Sequence, residues 1–397
     1  MVNVADIVNF NSDASCLFAD NWLEAISGGD DSKFCQWLRL YIEGKKKVVL
    51  GITGATVADL LEYNPEAIDL IRGNADVFEI ILRPFSHDLS PLRLPKGFKI
   101  NFSLGKKILE SSFGRYANFF LPPEFMLTSE QVWLLASLGV SGTFVQPGRF
   151  NRHFAKRIPL SPYKIKGIKG SNLDCIPFMQ ELTYAYLSSI ANFNANDWNA
   201  KLLTHAQSGQ TSFSWRDGES FLLFPDGLKR EKFWLNSESP EINRIFLNDA
   251  NITYIENDKL DHKYFRAYPP HPLSGWMREL KLFGLLNRIM EFEEHAGNFT
   301  SWQLTLWLEL IRSDIFSSVE KTCPEIEILA APESAQHDHF TILRSERAFE
   351  AEEMQSILFA AEADEIESII ASAKESFFRK TLARGKAIKK LIGICKQ

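Results

Sequence analysis

Cysteine is sparse in this sequence, and its spacing matches neither a disulfide framework nor a metal site. The 397 residues contain five scattered cysteines with no Cys-x-x-Cys pair: Cys16, Cys35, Cys175, Cys323 and Cys395. An odd, dispersed set of this kind is typical of reduced thiols inside cells. The sequence therefore predicts a cytoplasmic protein.

Long hydrophobic runs and an excess of basic residues are also missing. No apolar stretch approaches the roughly 20 residues of a membrane-spanning helix, and residues 1–10 lack the basic segment that opens a signal peptide. Acidic residues outnumber basic ones by 50 to 44, which gives a net charge of −6. We therefore predict no membrane association and no nucleic-acid partner.

The glycine-rich motifs of several large enzyme classes do not occur. The sequence has no GxxxxGK[ST], no GxGxxG after a predicted strand and no GxSxG. These motifs cradle phosphates or dinucleotides, or present a nucleophilic serine. Phosphoryl transfer, dinucleotide chemistry and serine hydrolysis are therefore unsupported, and we predict no cofactor.

What the chain does contain is an alternation of strand and helix patterns through its first 150 residues. β-Branched runs such as residues 48–53 and 77–82 alternate with amphipathic segments such as residues 56–71. This order predicts an α/β fold with a parallel sheet and right-handed crossovers. Polar side chains end the predicted strands, where such folds place their sites: Asn11, Asp13, Thr53, His87, Asp88, Glu124 and Gln146.

The segment around Glu124 organises this pattern. Phe119 to Leu121 form a predicted strand, and Pro122-Pro123 ends it because proline has no N–H for a sheet ladder. Thr128 or Ser129 then caps a predicted helix. Glu124 is therefore placed at the carboxyl end of a strand, although a solvated loop glutamate is the simpler interpretation.

The later parts of the chain differ in composition. Residues 151–275 are irregular and are interpreted as an insertion, with one predicted strand at residues 221–224. Residues 285–292 are predicted as the last strand, which carries Glu291 and leads into Glu293 and His295. We therefore divide the chain into residues 1–335, the strand–helix unit with its insertion, and residues 336–397, an Ala-, Glu- and Lys-rich helical extension. Two roles are open for the extension, covering the strand–helix unit or forming a dimer contact, and the oligomeric state is left open.

Two groups of carboxylates stand at predicted strand ends, namely Glu124 and the cluster Glu291, Glu293 and Glu294. A retaining glycosidase needs two carboxyl groups about 5 Å apart. His87 and Asp88, with Asp13, offer an alternative reading as a metal site, but no His-x-His or His-x₃-His spacing accompanies His87. We therefore predict no metal and prefer sugar-hydroxyl contacts for these residues, with a backbone-bonded turn histidine as the rival interpretation.

Several segments together resemble glycoside hydrolase family 57, whose members act on α-glucans through an incomplete (β/α)7 barrel followed by helices. The likeness is loose, spans roughly residues 5–335, and rests on residues 48–72, 77–92, 119–145, 224–236, 289–297 and 323–334. The segment FFLPPEF resembles the family's Pro-Glu motif, which would make Glu124 the nucleophile. The resemblance implies retaining cleavage or transfer of α-glucosidic bonds in an oligosaccharide or polysaccharide.

Two positions depart from the family pattern. Where the family's first strand ends in His-Gln-Pro, this chain has Asn11-Ser12-Asp13, and where the family has an acid/base Asp, the matching residue is read as Glu291. The resemblance then implies Glu291 as acid/base and Asp13, His87, Asp88, Glu293 and His295 as substrate contacts. Two alternatives stay open: a non-catalytic glycan-binding or regulatory descendant, and a metal-dependent deacetylase-like enzyme on a related barrel.

Overall fold

The computed structural model describes most of the first 254 residues, several short pieces after them and one long C-terminal helix. The described residues are 1–12, 19–145, 162–166, 172–178, 182, 185–186, 194–206, 211–223, 226–254, 286–287, 289–291, 293–294, 299–313 and 363–394.

A single sheet forms the centre of the molecule, with strand order β6-β7-β5-β4-β3-β2-β1-β8 and with β9 paired to β1. All neighbours are parallel except β6 and β7. The strands are β1 (Val2–Phe10), β2 (Val48–Ile52), β3 (Phe78–Leu82), β4 (Ala117–Phe120), β5 (Gly142–Val145), β6 (Tyr163–Lys166), β7 (Asn172–Pro177), β8 (Ser212–Asp217) and β9 (Ile242–Arg244). Setting aside antiparallel β6 and the short β9, this is the seven-stranded parallel framework of an incomplete (β/α)7 barrel.

Helices cover the sheet and follow its strands. They are α1 (Ala19–Ile26), α2 (Lys33–Gly44), α3 (Gly54–Tyr63), α4 (Pro65–Gly73), α5 (Pro95–Phe113), α6 (Ser129–Ser137), α7 (Asn196–Ala206), α8 (Glu219–Leu222), α9 (Gly227–Asn236), α10 (Ser301–Leu310) and α11 (Ala363–Ile394). The predicted helix over residues 56–71 is divided in two because Asn64 ends α3 and its side chain caps α4, with Pro65 at the first position of α4.

Side chains alternate between the two faces of the strands, as the pleat requires. On β1, Ala5 and Ile7 face the barrel interior, where they join a cluster that includes Phe144 and Phe213. Val4, Val8 and Phe10 face outward into the larger core beneath the helices. Because side chains alternate in this way along every strand, the position of a residue in its strand shows which face of the sheet it lies on.

The C-terminal helix α11 is anchored on the carboxyl end of β1. Arg384 donates to both carboxylate oxygens of Asp59 and to both of Glu309, at 2.9 to 3.1 Å. Arg384 and Lys380 also donate to the main-chain carbonyl of Ser12. Burial, with help from the charge of Arg384, lowers the pKa of Lys380 to about 7. The helix therefore packs against α3 and α10 beside the carboxyl end of β1.

Three predictions about the later chain are wrong. Residues 221–222 belong to helix α8 rather than to a strand, and the strand lies just before them as β8. Residues 286–287, 289–291 and 293–294 are helical rather than extended. Two strands of the parallel framework, β7 and β8, lie inside residues 151–275, which were interpreted as an irregular insertion. In the first two cases a short apolar run fits either strand or helix, and tertiary packing decides. In the third, the strands carry polar and charged residues that hide them in an irregular composition.

Candidate active site

Glu124 lies in a strained turn at the carboxyl end of β4. Pro122 ends the extended segment, and Glu124 and Phe125 then take positive φ angles of 51° and 55°. Two consecutive left-handed residues other than glycine cost about 1–2 kcal/mol each, and such strain is characteristic of functional sites. The structure thus confirms the predicted position of Glu124, just after the carboxyl end of a strand.

Packing of the neighbouring ring compensates for this strain. Phe125 is inserted into the barrel interior, where its ring lies 5.1 Å from that of Phe178 and 5.2 Å from that of Trp215, both edge to face. Trp215 belongs to β8, so the turn that carries Glu124 is in direct contact with that strand. A buried aromatic pair of this geometry contributes about 0.5–1.5 kcal/mol beyond its buried area.

The Glu124 carboxylate faces the loop after β3. His87 Nδ1 lies 3.7 Å from Glu124 Oε1, which is too far for a hydrogen bond. Ser313 bridges the two residues, with its Oγ 3.2 Å from Glu124 Oε1 and 3.0 Å from His87 Nδ1. His87 and Glu124, both predicted from the sequence, therefore share one pocket with a residue that the sequence analysis did not single out.

The surroundings of His87 favour the neutral form of its imidazole. Burial, reinforced by the positive charge of Arg83, holds the pKa of the imidazole well below its usual range. This direction favours a contact of a neutral ring with the Glu124 carboxylate over an ion pair. A neutral imidazole carries one N–H donor and one acceptor nitrogen, so it suits hydrogen bonds to hydroxyl groups.

Asp88 is fully buried behind His87. Its Oδ1 accepts the Ser90 hydroxyl at 2.8 Å, and its backbone forms an isolated antiparallel bridge with Arg312. Burial raises the pKa of Asp88 to about 6, although Arg93 and the Ser90 hydroxyl oppose the shift. This carboxyl group shapes the loop that carries His87, and its contact with substrate stays a prediction.

Glu293 is also fully buried, as the partner of a cation. Its carboxylate pairs with the Arg93 guanidinium and accepts the Leu94 N–H at 2.7 Å. The space left for it is bounded by Gly97, because a Cβ on that residue would lie 2.7 Å from the carboxyl carbon. In this geometry Glu293 fixes the start of α5, and a sugar contact for Glu293 stays a prediction.

A second carboxylate reaches the inner rim through β8. Asp217 is the last residue of that strand and is the register partner of Asn9 on β1. It lies two residues beyond Trp215 and therefore on the same inward face. The next residue is Gly218, whose N–H donates to the Asn9 carbonyl at 2.7 Å. Only glycine fits this close approach, because a Cβ there would lie 2.3 Å from the Phe10 ring. Since Phe125 contacts Trp215, Glu124 and Asp217 stand at the same rim.

Asn9 lies beside Asp217 on the inner wall. It is only 6% exposed, and among the described residues its Oδ1 has no hydrogen-bond partner. Buried amide oxygens are normally bonded, so this oxygen near the end of β1 is open to a donor beyond the described residues. The signal that identifies Asp217 and Asn9 is strand register, which the sequence analysis lacked because it placed the strand at residues 221–224.

Of the other predicted residues, Glu291 does not join this group. Glu291 is exposed and helical, like residues 289–290 before it, so its predicted position at a strand end is wrong. Asp13 and His295 lie outside the described residues. Within the described part of the chain, no group of three His, Cys, Asp or Glu side chains has the arrangement of a metal site.

Comparison with known proteins agrees with the fold described above. Residues 20–248, more than half of the chain, match the model of glycosyl hydrolase family 57. The chain belongs to glycosyl hydrolase family 57. The sequence-based resemblance to this family is thereby confirmed, as is the incomplete barrel. Ser313 and the C-terminal helix lie beyond the matched residues.

Solved structures with the same fold include three carbohydrate-active enzymes. The 4-α-glucanotransferase of Thermococcus litoralis superposes with a TM-score of 0.61 at 13% identity, covering 86% of this chain and 60% of that one. The family 57-type branching enzyme of Pyrococcus horikoshii gives 0.59 at 12% identity, covering 96% of each chain. The α-amylase AmyC of Thermotoga maritima gives 0.54 at 11% identity, covering 96% and 99%.

The present chain thus spans about three fifths of the glucanotransferase and nearly all of the other two enzymes. A search of curated protein sequences finds no significant match. At these identities the superpositions establish the fold. Within the described residues, no helix is long and apolar enough to span a bilayer.

Proposed function

We propose that this family 57 protein cleaves or transfers α-glucosidic bonds with retention of anomeric configuration, with Glu124 as the nucleophile and Asp217 as the acid/base. One observation carries the proposal: two carboxylates from the ends of β4 and β8 stand at the same inner rim, linked by the contact of Phe125 with Trp215. We expect a carboxyl separation of about 5–5.5 Å, as in other retaining enzymes.

The reaction proceeds in two displacements. The Glu124 carboxylate attacks the anomeric carbon while Asp217 donates its proton to the departing glycosidic oxygen, which forms a covalent glycosyl ester. Asp217, now a carboxylate, then takes a proton from water or from a sugar hydroxyl, and that oxygen displaces Glu124. Water gives hydrolysis and a sugar hydroxyl gives transfer, and the protein ends in its starting protonation state.

The neighbouring polar groups bind the sugar. His87 and the Asn9 Oδ1 flank the two carboxylates, and their neutral polar atoms suit hydroxyl groups. Trp215 and Phe125 form an apolar floor at the same place. Asp217 replaces Glu291 in our assignment because the family resemblance implies an aspartate and because Glu291 is exposed on a helix. The location of the protein in the cytoplasm stays a prediction, consistent with the free, buried thiols of Cys35 and Cys175.

The proposal is tested with variants of the three carboxylates and maltoheptaose as substrate. Glu124→Gln and Asp217→Asn should each lower kcat/KM at least about 1,000-fold, whereas Glu291→Gln should retain wild-type turnover. The anomeric configuration of the first product, followed by NMR, should match that of the substrate. Full activity of Glu124→Gln would remove this residue from the mechanism.

An activated substrate separates the two roles. An aryl α-maltoside with an acidic phenol as leaving group needs no proton to depart, so Asp217→Asn should lose far less activity on it than on maltoheptaose. Glu124→Gln should be equally inactive on both. If Glu291→Gln rather than Asp217→Asn shows the selective rescue, the acid/base is Glu291. If the wild-type protein binds maltoheptaose but releases no product after long incubation, the non-catalytic alternative replaces our proposal.

A further inference from the structure

The residue that joins His87 to Glu124 comes from a distant part of the chain. Ser313 follows helix α10 and is 2% exposed, and its Oγ lies between His87 Nδ1 and Glu124 Oε1. It lies outside residues 20–248, which carry the family match. No barrel strand delivers it, so its presence in the pocket depends on how α10 is seated.

The position of Ser313 is fixed by several contacts with the loop after β3. The Ser313 N–H donates to the His87 carbonyl at 2.8 Å, and Arg312 forms a backbone bridge with Asp88. One turn earlier, the Ser86 hydroxyl donates to the Leu308 carbonyl at 2.7 Å. The backbone of residues 308–313 is thereby tied to residues 86–88, so the position of the Ser313 hydroxyl is set independently of the bond it makes.

The two contacts of the hydroxyl imply one arrangement of protons. A serine hydroxyl has one hydrogen, and an ionised carboxylate accepts only, so Ser313 donates to Glu124. Its oxygen is then free to accept, and the neutral His87 must place its own hydrogen on Nδ1. The resulting relay runs from His87 Nδ1–H to Ser313 Oγ, and from Ser313 O–H to Glu124 Oε1.

We propose that Ser313 is a positioning residue, which aims the Glu124 carboxylate and holds His87 in the Nδ1–H tautomer so that Nε2 is a hydrogen-bond acceptor. This role deepens the proposed function, since it assigns what orients the nucleophile. A carboxylate that accepts a hydroxyl hydrogen bond is held in one rotamer and stays ionised to lower pH. An acceptor nitrogen on His87 selects a donor group, such as a sugar hydroxyl, on its partner.

The kinetic test removes the hydroxyl alone. Ser313→Ala should lower kcat/KM for maltoheptaose about tenfold or more, the effect of one hydrogen bond to a charged group. The acidic limb of the pH profile should move upward by about one unit because Glu124, without the Ser313 donor, binds its proton more readily. Ser313→Thr, which keeps the hydroxyl, should restore both properties.

A matched control is available elsewhere on the barrel. Ser214 is also buried and also donates its hydroxyl to a carboxylate, that of Asp6, at 2.7 Å, but on the outer face of β8. Ser214→Ala should lower the melting temperature while leaving the acidic limb of the pH profile in place. If Ser313→Ala behaves in the same way as Ser214→Ala, Ser313 is merely structural and the proposal is overturned.

A second measurement does not depend on activity. Long-range ¹H–¹⁵N NMR of histidine-labelled protein, assigned with His87→Gln, should show the Nδ1–H tautomer of His87 in the wild type and a changed tautomer equilibrium in Ser313→Ala. An Nε2–H tautomer in the wild type, or an unchanged equilibrium in Ser313→Ala, overturns the positioning role. Loss of turnover in Glu124→Gln alongside an unaffected Ser313→Ala would reject this inference and keep the proposed function. An inactive wild type that shows the expected tautomer change would reject the proposed function and keep the hydrogen-bond arrangement inferred for Ser313.

Discussion

Two polar clusters occupy opposite faces of the same pair of strands, β1 and β8. On the outer face, Arg216 donates to Asp6 at 2.5 and 3.0 Å and to Glu231 at 2.9 and 3.1 Å, and Arg244 donates to Asp6 at 2.5 Å. On the inner face, the register pair Asn9 and Asp217 stands at the rim that Glu124 also reaches. In the outer cluster each cation is paired with carboxylates, including that of Glu238, which accepts from Arg244 at 2.8 Å. The inner cluster instead has carboxylates beside neutral groups.

The difference separates stability from function. Tyr41 and Tyr186 donate to Glu231, and Trp234 covers the Arg216 guanidinium at 4.2 Å from its ring centroid. Lone pairs and charges in the outer cluster are thus largely satisfied, which makes it a fixed part of the scaffold. The inner rim instead has a strained turn at Glu124 and, within the part of the chain that the structure describes, an unbonded Oδ1 on Asn9, features that fit a site completed by a further group.

The largest effect on stability should come from breaking the outer cluster. Arg216→Met removes the cation shared by Asp6 and Glu231 and leaves their buried carboxylates short of a partner. Such a break costs about 3–5 kcal/mol. Glu124→Gln, which we expect to abolish turnover, should change the free energy of unfolding by less than about 1 kcal/mol, because the amide has nearly the size of the carboxylate and its oxygen can still accept the Ser313 hydroxyl.

Urea unfolding of both variants measures this contrast. The comparison fails if Glu124→Gln is destabilised as strongly as Arg216→Met, since the rim would then belong to the scaffold. A double change of Arg216 with Glu124 should give an additive free energy, because the two groups lie on opposite faces of the sheet and share no contact.

Much of this framework could be predicted from the sequence, and the limits have physical causes. The strands up to β5 follow from β-branched runs between amphipathic helices, and Glu124 follows from its Pro-Pro flank. Asp217 could not be found in the same way, because the segment SFSWRD alternates serine with aromatic and charged residues, and its outward Arg216 is stable only inside the ion cluster. Ser313 had no local signal, since only the docking of α10 brings it to the pocket.

The next effect concerns pH, and it contrasts two buried carboxylates. Burial alone would raise the pKa of Asp6, but Arg216 and Arg244 outweigh it and hold that pKa well below its usual range. Glu79, at the opposite end of the barrel, accepts only main-chain N–H groups of Leu247 and Asn248 among its described hydrogen bonds. Burial raises the pKa of Glu79 from 4.5 to about 7.

The two groups therefore shift stability in opposite directions. Asp6 contributes stability above its unfolded pKa, and this is lost as the pH falls in acid. The protonated Glu79 stabilises the fold fully below about pH 4.5. This contribution, at most about 3 kcal/mol, is lost as the pH rises from about 4.5 to about 7. Glu79→Gln should flatten the decline in unfolding free energy between pH 4.5 and 7. An unchanged slope in urea titrations across this range would show that Glu79 is ionised in the folded protein at all these values.

A smaller loss of unfolding free energy is expected when the contacts that anchor the C-terminal helix are broken. Arg384→Met leaves Asp59 and Glu309 without their shared cation, but α11 can move away and let water reach these carboxylates. We therefore expect a loss of about 2 kcal/mol, smaller than for Arg216, together with faster hydrogen exchange in residues 363–394. Equal destabilisation of Arg216→Met and Arg384→Met would mean that the helix is as integral to the scaffold as the outer cluster.

The smallest effects should come from two matching helix caps, one on each side of the site. Thr128 caps α6 just after Glu124, and Thr300 caps α10 ahead of Ser313, each in a reciprocal capping box with Gln131 or Gln303. Thr128→Ala and Thr300→Ala should each cost about 1 kcal/mol because one helix N–H loses its acceptor. Gln131 also donates to the Ser90 carbonyl in the loop that carries His87, so α6 has a tertiary tether of its own. If Thr300→Ala slows turnover of maltoheptaose while Thr128→Ala does not, then α10 positions the site more sensitively than α6, as the delivery of Ser313 requires.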